Sequence, residues 1–455
     1  MNDLITERET LEERYLRQIF IRDQMAEFAK DPFVMTGADG IYYTDIDGKR
    51  YLDAIAGIFV ASVGHGNRRV IDAIKIQLDT MAFAPVMHGT NALAIQLANK
   101  LAEIAPGNIN SVKFCSGGSE ANETAFKMAR QYHKLNGHPN KYKIISRYQS
   151  WHGGTFAALS ASGLTSRRVD SEPLAAGFIH VFPPYCYRCP FGKEYPSCDL
   201  TCAGLIEDTI LMEDPETVAA VIVEPIGHTG GIIDPPSEYL PQLRELCNRH
   251  NVLLIFDEII TGMGRTGEMF AADTFGVVPD LICLGKGISG GYMPLSAVLC
   301  QRQIADKFWG DKTINPGFVS GHTYEANPIA CAAGLATIGE IIEKDLCSNT
   351  RKIGNYLREG LESLRKHGII GDIRGKGLFL GVEFVRNPAS KEKFENDIPI
   401  GTLIGKRALT KGLLTRYDPH WMSLGPPLIL TQEQADDIIS ILDDCIAEVL
   451  DEINT

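Results

Sequence analysis

Residues 252–267, VLLIFDEIITGMGRTG, place an apolar run directly ahead of two acids, Asp257 and Glu258. Residues 280–297, DLICLGKGISGGYMPLSA, repeat the plan with Lys286 between two glycines. Short apolar runs bounded by turn residues read as strands buried on both faces. Similar runs recur at 112–117 (VKFCSG), 141–147 (KYKIISR) and 219–225 (AAVIVEP), alternating with helix-like segments from about Gly64 to Ala330. That alternation predicts an α/β fold with a mostly parallel, doubly covered sheet. Such sheets present ligand-binding groups at the carboxyl ends of their strands, where Asp257 and Lys286 both fall.

Each of these residues has a plainer reading beside the chemical one. An isolated Asp at a strand end is commonly a solvated loop carboxylate or a helix cap. A Lys in a glycine-flanked niche can lose its charge by desolvation and become an amine nucleophile able to form a Schiff base, but it can equally grip a phosphate or sit on the surface. Residues 114–130, FCSGGSEANETAFKMAR, run from a strand through a Gly/Ser turn into a helix, so the backbone N–H groups of Gly118 and Ser119 can hold an anion, or Ser119 can simply cap the helix. The turn lacks the ending of a nucleotide-triphosphate loop and the spacing of a dinucleotide fingerprint.

The flanks are different in kind. Residues 8–30 read as a charge-rich amphipathic helix, and residues 40–57, GIYYTDIDGKRYLDAIAG, as a hairpin turning at Asp47-Gly48. Residues 327–345 read as a helix, GKGLFLGVEF (375–384) as strand, and Gln432 to Leu450 as a closing helix. The expected division is an N-terminal arm over 1–63 that packs with the small domain, a large domain over 64–330, and a small C-terminal α/β domain over 331–455.

With 455 residues, 44% hydrophobic and 22% charged, the chain has ordinary globular composition. A formal net charge of -13 argues against nucleic acid or an anionic membrane as partner, because such partners are held by clustered Lys and Arg. The charged N-terminus lacks the apolar core of a secretory signal, which sets the expectation of a cytoplasmic protein with free thiols.

Taken in order, SGGSEANE, Trp151-His152-Gly153, VEPI, FDEIITGMGRTG, LGKGISGGYMPLSA and GHTYEANPIACAA resemble the class III (ω-amino) aminotransferases, whose fold is the pyridoxal-phosphate-dependent transferase fold type I. The resemblance covers nearly the whole chain. It implies pyridoxal 5'-phosphate as cofactor, with Lys286 carrying it as a Schiff base and then shuttling a proton, and Asp257 keeping the pyridine nitrogen protonated. Gly118 and Ser119 become the phosphate cup. Trp151, where the family usually has Tyr or Phe, would cover one ring face, Ile259 the other, and His152 would sit beside them; core packing is the alternative for Trp151. Glu224 braces the loops. Thr323 would reach the phosphate of the neighbouring subunit, making a homodimer, possibly a tetramer, with shared active sites.

Substrate residues follow on the same basis. Arg416 matches the mobile arginine of amine:pyruvate-type members, which can grip a carboxylate bidentately, and a surface Arg is the competing reading. Phe59 and residues 86–88 match pocket-lining regions, the latter donated by the other subunit, with hydrophobic core as the alternative for Phe59. Thr229 stands where members acting on γ-amino acids or ornithine often carry Glu, which points away from those substrates. WMSLGPP (421–427) offers no Arg where glutamate users tend to have one, which favours pyruvate over 2-oxoglutarate. The expected reaction moves an amino group from an amine or ω-amino acid to a 2-oxo acid. The alternatives are a lyase, decarboxylase or epimerase of the same fold, since the same residues activate Cα without choosing the bond that breaks, and, in another class, a nucleotide- or metal-dependent binding protein.

One cluster stands outside this scheme. Cys186, Cys189, Cys198 and Cys202 fall within seventeen residues as C-x2-C, an eight-residue gap and C-x3-C. Four thiolates so spaced can close a tetrahedral zinc site, although the gap is short for a zinc ribbon. The competing reading, reduced cysteines in a Pro-rich loop with no metal site, is preferred.

Overall fold

The structure, a computed structural model, describes residues 16–21, 24–311, 313, 317–395 and 397–454. Its centre is a seven-stranded sheet of β1 (Ile109–Cys115), β2 (Lys143–Arg147), β3 (Phe178–Val181), β4 (Val218–Val223), β5 (Leu253–Asp257), β6 (Leu281–Leu284) and β7 (Ser296–Gln301). The order is β1-β7-β6-β5-β4-β2-β3. Only β7 runs antiparallel to its neighbours, so the carboxyl ends of the other six share one edge.

The sequence explains why this sheet is central. Every residue of β4 (VAAVIV) and β5 (LLIFD) is buried, as continuous apolar strands covered on both faces must be. Helix α1 (Gly118–Leu135) lays Ala121, Ala125, Phe126 and Ala129 against it; three of the four are small, so the helix backbone can approach closely. Truncating a side chain such as Phe256, wholly enclosed in the core on the sheet's opposite face, to Ala would cost about 3–5 kcal/mol. On the other side, helix α2 (Pro328–Glu343) packs against the helices Arg68–Thr80 and Ala92–Ile104. Asn327 caps α2 by accepting from the backbone N–H groups of Ile329 and Ala330, with Pro328 at the first helical position, where its missing N–H costs nothing.

Two smaller sheets flank the centre. Tyr42–Asp45 and Arg50–Asp53 form the expected hairpin, with Gly48 in the left-handed region at its turn. Met35–Asp39 extends it on one side and Leu413–Leu414 on the other, so the N-terminal chain and the C-terminal chain share one four-stranded sheet. The second sheet pairs Ile370–Lys376, Phe379–Phe384, Trp421–Leu424 and Arg416–Asp418, all antiparallel. The closing helix runs Gln432–Asn454, beyond the boundary read from the sequence, because Ile453 in its last turn still packs against the core. The helix expected over 8–30 lies partly outside the described residues; within them Leu16 and Met25–Lys30 are helical, while residues 17–21 and 24 are not. Among the described residues no helix is long and apolar enough to cross a membrane.

Candidate active site

Loops leaving β1, β2, β4, β5 and β6 converge on a cavity of about 170 Å³. Its wall is Gly118 and Ser119 after β1, Trp151 and His152 after β2, Glu224 after β4, Asp257 and Ile259 at the end of β5, and Lys286 after β6. Every cofactor-contacting residue expected from sequence is therefore in one place, except Thr323.

Asp257 is 4% exposed and heavily bonded. Its Oδ2 lies 2.8 Å from His152 Nδ1 and accepts from Asn122 Nδ2 at 2.8 Å, while Oδ1 accepts from the Ile259 N–H at 3.1 Å. The Asn122 amide also donates to the His152 carbonyl at 2.6 Å, and Ser162 Oγ accepts from the His152 N–H at 2.8 Å. Contacts on several sides fix the orientation of this carboxyl group. With Nδ1 committed to Asp257, His152 keeps a buried Nε2 that has no partner among the described residues.

At the other end stands the N-terminus of α1. Its N-cap is Gly117, which has no side chain to satisfy the first N–H groups, so an 18-residue helix offers its positive end to the cavity. A Cβ on Gly118 would come within 2.7 Å of Ile259 Cδ1, so glycine is what lets the turn and the Ile259 wall approach each other. Ser119 Oγ accepts from the Gly154 N–H at 3.0 Å, joining this turn to the Trp151 loop.

Glu224 ties two further segments together. Its carboxylate accepts from the Trp151 N–H at 2.7 Å and from the His228 N–H at 2.8 Å, and its carbonyl from Arg147. Burial pushes its pKa up. Glu258, next to Asp257, points elsewhere: it accepts from Ala271 N–H at 2.6 Å and Ala272 N–H at 2.9 Å, and burial raises its pKa to about 7 against those bonds. Lys286 itself has φ 45, in the left-handed region uncommon for a side chain with Cβ, a strain that tends to collect at functional sites.

Three expected residues fall elsewhere. Thr323 is exposed and lines a separate cavity of about 690 Å³ together with residues 86–88. Phe59 is 2% exposed and packs edge-on against His228 and Phe379, inside the core and off the cavity wall. Arg416 lines a third hollow, about 800 Å³, with its guanidinium 5.4 Å from the Trp421 ring centre and 3.5 Å from Asp418. The four clustered cysteines share a small cavity of about 20 Å³, and among the described residues no group of three or more His, Cys, Asp and Glu is arranged to hold a metal.

Reading the sequence missed Asn122, Arg147, Ser162 and His228. Asn122 had a signal, since it lies four residues beyond Gly118 on one helix and so on the same face. His228 had none: burial, then Arg416 and Lys286, lowers its pKa to about 3, so it is a neutral imidazole packed near both cations.

The chain matches the aminotransferase class-III family over residues 25–446. It is 39% identical over 418 residues to the uncharacterized aminotransferase YhxA of Bacillus subtilis, covering 90% of each chain. The ω-transaminase of Pseudomonas jessenii, solved in complex with PMP, superposes with a TM-score of 0.93 at 33% identity, over 98% of this chain and 99% of that one. An amine transaminase from an uncultivated Pseudomonas species in its PLP-bound form gives 0.90 at 35% identity, over 95% and 99%. Fold and site thus define a transferase of pyridoxal-phosphate fold type I. The chain belongs to the class III aminotransferases, a family whose members use pyridoxal phosphate, and it is an aminotransferase.

Proposed function

We propose that this aminotransferase moves an amino group from an amine or ω-amino acid to a 2-oxo acid, with pyruvate favoured over 2-oxoglutarate, using pyridoxal 5'-phosphate. The observation that carries the cofactor assignment is the polarity of the cavity: an uncapped helix N-terminus at one end and a buried carboxylate, Asp257, at the other, with Lys286 on the wall between loops. A cofactor with a phosphate and a basic ring nitrogen matches both ends, and the unpartnered His152 Nε2 leaves a polar group for it.

Pyridoxal phosphate, when bound, supplies an electrophilic carbonyl and an electron-withdrawing ring. The Gly118 and Ser119 N–H groups would hold its phosphate, Trp151 and Ile259 its two faces, and Asp257 the proton on its ring nitrogen, with His152 and Asn122 keeping that carboxyl group aimed. Lys286 would hold it covalently through Nζ and, once released by the incoming amine, take the proton from the substrate Cα. Glu224 keeps the Trp151 and His228 segments in register. Arg416 would grip the acceptor's carboxylate and turn away for donors that lack one.

Several further assignments go with this reading. The chain would act as a homodimer, with Thr323 completing the partner's phosphate site; Met87 and Val319, both 88% exposed around the Thr323 cavity, form the kind of apolar patch that marks an interface. The divisions at 63/64 and 330/331 and a cytoplasmic location are proposed with it. The deciding experiment is the visible spectrum of purified protein after adding a simple amine and then pyruvate. Loss of the cofactor's absorbance band with the amine and its return with pyruvate are expected; a band that amine leaves unchanged would refute the reading.

A further inference from the structure

The 800 Å³ hollow beside the cofactor cavity is nearly five times the cavity's size and differs from it in charge. Four cationic side chains, Arg167, Arg188, Lys393 and Arg416, line it against two carboxylates, Glu383 and Asp418, although the chain as a whole carries a net charge of -13. Glu383 is already committed: Arg374 reaches it at 2.8 Å, and Arg188 and the Tyr185 hydroxyl bond it as well. Asp418 faces Arg416 across 3.5 Å. The side chains of Arg167 and Lys393 are exposed and have no acceptor among the described residues.

Arg167 is joined to the catalytic wall through the backbone that precedes it. It belongs to the short helix Thr165–Arg168, which follows Gly163. The Gly163 N–H donates to the Ser150 carbonyl at 3.1 Å, its carbonyl accepts from the Gln149 N–H at 3.1 Å, and any Cβ there would strike the Arg147 carbonyl. One residue earlier, Ser162 holds the His152 N–H. The strand-end loop 148–152 therefore lines the hollow at Tyr148 and Gln149 and the cavity at Trp151 and His152, with the Arg167 segment bonded along it. Thr229 Oγ1, donating to the Gln149 carbonyl at 2.7 Å, fastens the opposite wall.

We infer that Arg167 is a specificity-determining residue, and that the hollow receives the distal carboxylate of amino donors whose reacting nitrogen sits at Lys286. The substrate class is then amino compounds with an anionic group at the far end of the molecule, the chain between them crossing from cavity to hollow. This rests on the reading of Lys286 as the amine site. A guanidinium with free donors binds a carboxylate through two parallel hydrogen bonds, whereas Lys offers one compact charge, so Lys at this position should recover only part of the effect.

The test uses the holoenzyme and compares ω-amino carboxylates of increasing length with neutral amines of equal length, in wild type, Arg167→Ala and Arg167→Lys. The wild type should prefer carboxylate donors of one favoured length, and Arg167→Ala should lower the ratio of kcat/KM for carboxylate over neutral donors by about tenfold or more, chiefly through KM. Arg167→Lys should recover part of the ratio. A ratio changed less than about twofold by Arg167→Ala, with the amine still discharging the cofactor's band, would overturn this inference alone. A band that no amine discharges would overturn the reading beneath it.

Discussion

The cofactor cavity and the cationic hollow lie side by side on one sheet edge and are built on opposite plans. In the cavity each polar group is fixed: Asp257 takes bonds from Asn122 and Ile259 and faces His152, and Glu224 from two backbone N–H groups. In the hollow, Arg167 and Lys393 are exposed, and half-buried Arg416 lies over Trp421 with bonds to the Tyr417 carbonyl and Asp418. A group that must hold a proton at one atom gains from preorganisation, because reorganising it during reaction would raise the barrier. A group that must accept a carboxylate on one substrate and release it for the next gains from mobility. On the proposed reading, chemistry common to the class falls to the rigid half and choice of substrate to the adaptable half.

The sharpest way to break this comparison is at its rigid end. Lys286→Ala should lower turnover by roughly 10³-fold or more while circular dichroism and melting behaviour stay near wild type, because covalent attachment and proton transfer are lost together. Normal turnover in that variant would remove the centre of the scheme. Asp257→Asn should cost roughly 10²-fold or more in kcat. The substituted amide keeps the shape but presents His152 with a neutral partner, so altered position or intensity of the cofactor's visible band should accompany the loss. A band identical to wild type would show that Asp257 does not act at the ring nitrogen.

How much of this was legible in the sequence divides along the same line. The sheet, its polarity and the placing of Asp257 and Lys286 follow from local patterns, since an apolar run ending in a turn marks a strand end wherever it occurs. Asn122 was half legible, one helical turn beyond the Gly118 cup. His228 was not, because its role depends on Phe59, Phe379 and Trp421, which meet it from distant parts of the chain. The hollow was illegible for a related reason: its cations come from segments near residues 167, 188, 393 and 416, and no periodicity announces that four separate segments share one space. Phe59 shows the converse, a position suggested by resemblance whose side chain the structure encloses in the core.

At the adaptable end the effects should be smaller and selective. Arg416→Ala should lower kcat/KM for pyruvate by about 10- to 100-fold, since a bidentate charged contact is lost, and change the half-reaction with a neutral amine much less. Equal losses in both half-reactions would place Arg416 in general architecture and blur the division between the two regions.

The smallest effect tests whether the rigid half extends past the reacting groups to Glu258, adjacent to Asp257 yet turned toward the backbone of residues 271–272. Its folded-state pKa is raised to about 7, above the ordinary 4.5, because burial disfavours the charged form. The unfolded chain therefore loses this proton first, so the folded state binds more protons between about pH 4.5 and 7 and stability falls as pH rises through that window. The contribution is at most about 3 kcal/mol, present in full below the unfolded value and gone above the folded one. Glu258→Gln, neutral at every pH, should remove that slope: its melting temperature relative to wild type should rise by a few degrees between pH 5 and pH 8. Parallel curves for the two proteins across that range would mean that Glu258 is ionised in the fold at both ends. The backbone bonds from Ala271 and Ala272 would then outweigh burial.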